Sequence, residues 1–259
     1  MCGSEPAHPF LNRMEHIYED ETLEDLQIGG LKLIQKKRNF RYGMDAVLLA
    51  DFAVIQPRDT VADFGTGTGI LPLLLIGRGK GQQFTAIEIQ PEMAEMSRRT
   101  MALNQLETRV TILQGDAADA PEMLGPCSVE AVVCNPPYGM PGCVTQNLRQ
   151  ELTTARHQGR ETLSRFFTSA FRILKGKGKL FLVYPAAQMF SLMTELRTAH
   201  LEPKHFRLVY PDVRHGANLV LVEAVKDARP LLQPMPPLII CNENGDLTNE
   251  LKSIYHMQE

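Results

Sequence analysis

From residue 60 onward, short apolar runs alternate with helix-length segments, and this alternation limits the possible folds more than any other feature of the chain. Thr60–Phe64, Phe84–Ile89, Val110–Gln114 and Val129–Cys134 read as strands. Ile70–Ile76 and Glu92–Asn104 read as helices, the second opened by Pro91, whose missing N–H costs nothing at a first helical position. Further on, the pattern predicts a helix over about 161–174, a turn at Gly176 and Gly178, a strand Leu180–Tyr184 and a helix Ala187–Ala199. His205–Tyr210 and Leu219–Val225 read as an antiparallel pair at the sheet's end. Strands separated by helical stretches imply right-handed crossovers. The expected fold is therefore α/β, with a doubly wound, mainly parallel sheet of seven strands.

Ahead of this region, Leu26–Gln35 reads as two short strands about a Gly29-Gly30 turn, and Asp45 as the N-cap of a helix Ala46–Ala53. The chain divides into a mobile acidic arm (1–21), a hairpin and helix (22–58), the main domain (59–226) and a C-terminal extension (227–259). The net charge of −3 hides an uneven distribution: residues 1–26 hold seven acids against Arg13 alone, so the middle of the chain is basic. A basic body is compatible with RNA. The cluster Lys36-Lys37-Arg38 interleaves with Phe40 and Tyr42, and a solvated loop is its simplest reading. Five scattered cysteines without a C-x-x-C pair read as reduced thiols rather than metal ligands. No apolar run reaches the length of a membrane span, so the expectation is a cytoplasmic protein with no membrane partner and no metal. The sequence sets no oligomeric state.

The residues suited to chemistry fall at strand ends. Asp63-Phe64-Gly65-Thr66-Gly67-Thr68-Gly69 joins a strand to a helix, where a backbone can approach a ligand closely. Position 70 is Ile70, so the dinucleotide fingerprint is incomplete, and the P-loop ending is absent. Glu88, near the end of the next strand, suits the two hydroxyls of a ribose. Asp116, followed by Ala117, suits an adenine amino group. Asn135-Pro136-Pro137-Tyr138 then leaves the fourth strand abruptly, because two prolines cannot continue a ladder. That corner carries an amide and a phenol, groups able to grip a flat, amino-bearing substrate.

Together these motifs resemble the class I S-adenosylmethionine-dependent methyltransferases, whose fold is Rossmann-like. The resemblance narrows to the bacterial tRNA(Val) adenine-N6-methyltransferase family through Gln35-Lys36-Lys37, Arg41–Ala50, Ala155-Arg156-His157, Ala217–Glu223 and Pro236-Pro237-Leu238. It covers about residues 22–255. Gln158, Leu247 and the Gly139–Cys143 loop depart from the family pattern.

The resemblance implies S-adenosylmethionine as cofactor, held by Tyr42, Asp45, Asp63, Gly65, Thr66, Gly67, Gly69, Glu88, Asp116, Ala117 and Asn135. It implies that the hairpin and helix over 22–58 cap the cofactor. It further implies catalysis at Asn135, Pro136, Pro137 and Tyr138, with Lys36, Lys37, Arg38, Arg156 and His157 meeting a substrate that is RNA, most naturally tRNA. Two other readings stay open: methylation of a glutamine amide in a protein such as a release factor, and a non-catalytic cofactor- or RNA-binding protein.

Overall fold

The computed structural model describes residues 17–37, 43–136 and 163–256. Tyr42, Arg38, Pro137, Tyr138, Arg156, His157, Gln158, the Gly139–Cys143 loop and most of the acidic arm lie outside the described residues.

The parallel part of the sheet is built from β3 (Thr60–Phe64), β4 (Gln83–Glu88), β5 (Val110–Gln114), β6 (Val129–Cys134) and β7 (Leu174–Pro185). Two longer strands, β8 (Leu201–Tyr210) and β9 (Leu219–Lys226), add antiparallel pairs beyond β7. Together these are the seven strands read from the sequence. Two-residue strands β10 (Gln233–Pro234) and β11 (Leu238–Ile239), from the C-terminal extension, pair in parallel with the outer side of β8. The order is β10-β8-β9-β7-β6-β3-β4-β5. After β3 the chain moves outward through β4 and β5, then returns to place β6 on the other side of β3. The gap at the carboxyl ends of β3 and β6 is thus a topological switch point, where open α/β sheets bind ligands.

Helices cover both faces. On one lie α1 (Met44–Phe52), α2 (Ile70–Gly77) and α7 (Asn249–Ile254), packed against Val61, Val133, Phe181 and Val183. The other carries a helix over residues 163–173 and α6 (Met189–Thr198), packed against Phe64, Val132, Leu182 and Val222. Helix α3 (Pro91–Leu103) buries Met96 and Met101 as packing residues. Cys134 is likewise buried among apolar neighbours.

Several local expectations need correction. Asp45 is not the N-cap of α1: Gly43 holds that place without a side-chain cap, and Asp45 sits in the first turn, where its charge favours the helix dipole. At the other end of α1, Lys80 Nζ donates to the carbonyls of Ala50, Asp51 and Ala53 at 2.8, 2.7 and 2.8 Å. The Gly176/Gly178 segment is a bulge inside β7 rather than a turn before it. The register jumps there from Val129–Leu174 to Ala131–Lys179. Lys175 pairs with Glu130, Lys179 pairs with Glu223, and Lys177 donates to the Asp227 carbonyl, so these lysines serve the fold.

The hairpin also begins earlier than expected. Its strands are β1 (Glu21–Asp25) and β2 (Lys32–Lys36), antiparallel from Glu21–Lys36 to Asp25–Lys32, with Gly29 and Gly30 between them. Glu21, counted with the acidic arm, is instead the first residue of β1 and is buried. Lys32 N donates to Asn104 Oδ1 at 2.9 Å, and Asn104 Nδ2 donates back to the Lys32 carbonyl at 2.7 Å, so the hairpin is laced to the end of α3.

Candidate functional site

The turn after β3 is shaped by its glycines. Gly65, Gly67 and Gly69 all have positive φ (71°, 56° and 86°), a region that side chains with a Cβ rarely adopt. Two of them have different jobs. A Cβ on Gly69 would lie 2.6 Å from Met101 Cε and 2.7 Å from Ser97 Oγ, so Gly69 lets the turn settle onto α3. A Cβ on Gly65 would meet nothing within 4 Å, which leaves room above the turn for a ligand. Gly69→Ala is expected to destabilise the protein by about 1–3 kcal/mol, from left-handed strain and the blocked contact with α3. A melting curve checks this; an unchanged midpoint would contradict it.

Glu88 ends β4 and organises the turn. Its Oε2 accepts from Gly67 N and its Oε1 from Gln90 N, each at 2.9 Å. Each carboxylate oxygen can accept a further donor, so the ribose role remains chemically open. Asp116 follows β5, and its Oδ1 accepts from Ala118 N at 2.9 Å, capping the short 3-10 turn Ala117–Asp119. Arg165 approaches Asp116 Oδ2 at 3.5 Å, and Ser169 donates to the Ala117 carbonyl at 2.7 Å. These two helix residues were not singled out from the sequence, because they lie some fifty positions from the strand end they support.

Asp63 is the most unusual group. Its relative exposure is 0 %, and neither carboxylate oxygen meets a donor in hydrogen-bond geometry; the Thr66 hydroxyl is equally unmatched. Burial pushes the Asp63 carboxyl up to about 7; the adjacent Thr66 hydroxyl opposes this, and the Glu88 charge adds to it. Burial also raises the Cys134 thiol far above its ordinary range, with Asp63 contributing, so Cys134 is not poised as a nucleophile.

The structure thus brings Asp63, Gly65, Thr66, Gly67, Gly69 and Glu88 together, with Asp116 and Ala117 at the neighbouring strand end. Asn135 and Pro136 leave β6 on the opposite side of the switch point. The residues fit S-adenosylmethionine: open space over Gly65, unmatched acceptors at Asp63, and further acceptor capacity on the Glu88 carboxylate. Lys36 does not stand free for a substrate phosphate, because Asp20 and Glu92 each hold its Nζ at 2.7 Å. Lys37 Nζ donates to the Glu19 carbonyl at 2.6 Å. Leu247 packs against the core and bridges to Cys241, so its departure from the aromatic pattern is accommodated by packing.

Comparison with known proteins identifies the family. Residues 44–200 match the family model described as methyltransferase small domain. A Porphyromonas gingivalis protein named tRNA1(Val) (adenine(37)-N6)-methyltransferase is 30% identical over 184 residues, covering 63% of this chain and 71% of the relative. Among solved structures, a predicted O-methyltransferase from Agrobacterium tumefaciens aligns with a TM-score of 0.66 and 22% identity, covering 82% of this chain and 96% of that one. TYW2 from M. jannaschii, solved in complex with AdoMet, aligns with a TM-score of 0.54 and 15% identity over 80% of this chain and 86% of that one. These two structural likenesses speak to the fold.

Proposed function

The chain belongs to the methyltransferase small domain family, its cofactor is S-adenosylmethionine, and from that premise we propose that the group it methylates is N6 of an adenine in tRNA. The observation that carries this reading is the Asn135-Pro136 corner, set across the switch point from the glycine turn. The similarity to the tRNA1(Val) adenine-N6 enzymes supports the choice of base and of RNA.

In this reading Asp63, Thr66, Glu88, Asp116 and the backbone of Gly65–Gly69 hold the cofactor, which supplies an electrophilic methyl group on a sulfonium. An aromatic amine is a weak nucleophile because its lone pair is delocalised into the ring. The Asn135 side-chain oxygen and the Pro136 carbonyl accept the two N–H hydrogens, and the nitrogen can then turn its lone pair out of the ring plane. Pro136 has no N–H of its own and a fixed φ, which keeps the acceptors aimed. Orientation and preorganised dipoles supply the rate, and no general base is needed before transfer. Tyr42, Asp45, Pro137 and Tyr138 complete the site by the family resemblance, with Tyr138 stacking on the base. Lys37, Arg38, Arg156 and His157 flank it for RNA.

A paired adenine must first be flipped out, at a cost of a few kcal/mol, so loops are the favoured targets. Among the described residues, the part ahead of β3 is a hairpin and one helix. The test is transfer of a tritiated methyl group into total tRNA. Label that RNase removes supports the reading; label that only protease removes overturns it.

A further inference from the structure

Asp63 is more than a hydrogen-bond acceptor awaiting a donor. The elements around it carry Asp45 and Asp51 on α1, Glu88 on β4, and Glu130 and Cys134 on β6; α2 and the glycine turn carry no ionisable side chain. None of these elements contains a lysine, arginine or histidine. Among the described residues, this fully buried carboxylate has acidic neighbours and only the nearby Thr66 hydroxyl, out of hydrogen-bond geometry, to favour a negative charge.

Resting on the cofactor assignment above, we propose that filling the cofactor site expels a proton from Asp63: the free protein holds this side chain as the neutral acid, and the loaded protein holds it as the anion against the cofactor's positive charge. The O–H bond of the Asp63 carboxyl breaks, its electron pair stays on the oxygen, and the proton leaves to solvent. S-adenosylmethionine carries a sulfonium and an ammonium, so it brings a cation that none of these described elements provides. The position of the Asp63 carboxyl, near 7 in the free protein, sets the window. A group held protonated when free and ionised when bound makes affinity rise with pH until the free form is itself ionised. Apparent affinity therefore falls about tenfold per unit as pH drops below 7, and is flat above about 8.

The experiment is titration calorimetry of the full chain with S-adenosylmethionine, in buffers of different ionisation heat. Proton release is expected to be about one per site at pH 6, about half at pH 7 and near none at pH 8.5. Asp63→Asn, which keeps the shape but cannot titrate, is expected to abolish the release. Binding with no buffer dependence at pH 6, or undiminished release from the asparagine variant, would overturn the proposal. If that variant fails to fold or bind, a carboxyl-carbon NMR titration of the free wild-type protein decides. An Asp63 signal titrating near 7 supports the proposal, and one already ionised at pH 5 overturns it. Absence of any binding heat, with the Asp63 signal titrating near 7, would instead strike at the cofactor assignment.

Discussion

Asn135→Ala is expected to lower methyl transfer about 10²–10³-fold, the scale seen when one preorganised polar contact to a transition state is removed. The argument is geometric. Asn135 is the first residue beyond β6, and β6 is buried on both faces between β3 and β7, so the backbone that carries the amide is fixed by neighbours on either side. Alanine keeps that backbone and removes the side-chain amide, with it the acceptor. The remaining carbonyl of Pro136 can hold one amine hydrogen but not both, and the lone pair stays partly delocalised. Asn135 is half-buried at a strand end, so the melting temperature should move by no more than a few degrees. Single-turnover transfer with saturating cofactor, read beside a melting curve, measures both. A variant that folds and transfers at the wild-type rate would remove Asn135 from the mechanism.

The second large effect concerns the hairpin. The Glu21 side chain has 0 % exposure and takes a bidentate pair from Arg99, Nη1 to Oε2 at 2.7 Å and Nη2 to Oε1 at 2.8 Å. Tyr18 N donates to Glu21 Oε2 at 2.9 Å, and the Tyr18 ring lies 4.1 Å from Arg99 Cζ. Arg99 also grips Glu95 one turn earlier on α3. Arg99→Ala would leave the buried carboxylate with only Tyr18 N and the Lys36 ammonium, 3.8 Å away, in place of its bidentate partner, an expected loss of about 3 kcal/mol. Chemical denaturation should show it, together with faster hydrogen exchange in β1 and β2. Replacing both partners by apolar residues should recover much of the loss. Burial raises the Glu21 carboxyl, but the hydrogen bonds from Arg99 and Tyr18 N outweigh it and leave it below its ordinary value. A depressed carboxyl contributes stability above its unfolded value of about 4.5 and loses it as pH falls through the lower folded one. The hairpin should therefore loosen in acid before the main sheet does. A single transition, with the Arg99 variant as stable as the wild type, would contradict this account.

Much of this architecture could be read from residues because the parallel strands are buried on both faces. Ala131–Cys134 appears as an unbroken apolar run and Val61–Phe64 as one interrupted only by Asp63, and the glycine and proline punctuation after them marks where each strand stops. Glu88 and Asp63 stood out because a carboxylate at the end of, or within, such a run has little structural reason to be there. What escaped the sequence was held by distant partners. Glu21 looked like part of an acidic arm because the guanidinium that pairs with it lies 78 positions away on helix α3. Lys36 looked available for phosphate because Glu92 cannot be paired with it from spacing alone. The bulge in β7 looked like a turn because lysine and glycine alternate there, and only the register with β6 reveals a continuous strand. The edge strands β10 and β11 are too short, and too rich in proline nearby, to give a periodic signal.

The most direct measurement is nucleoside mass analysis of unmodified tRNA after incubation with the purified protein and S-adenosylmethionine. N6-methyladenosine in a single loop position, formed by the wild type and lost with Asn135→Ala, is the expected result. Methylation of a ring nitrogen or of a different base, or methyl label found only in a protein glutamine, would contradict it.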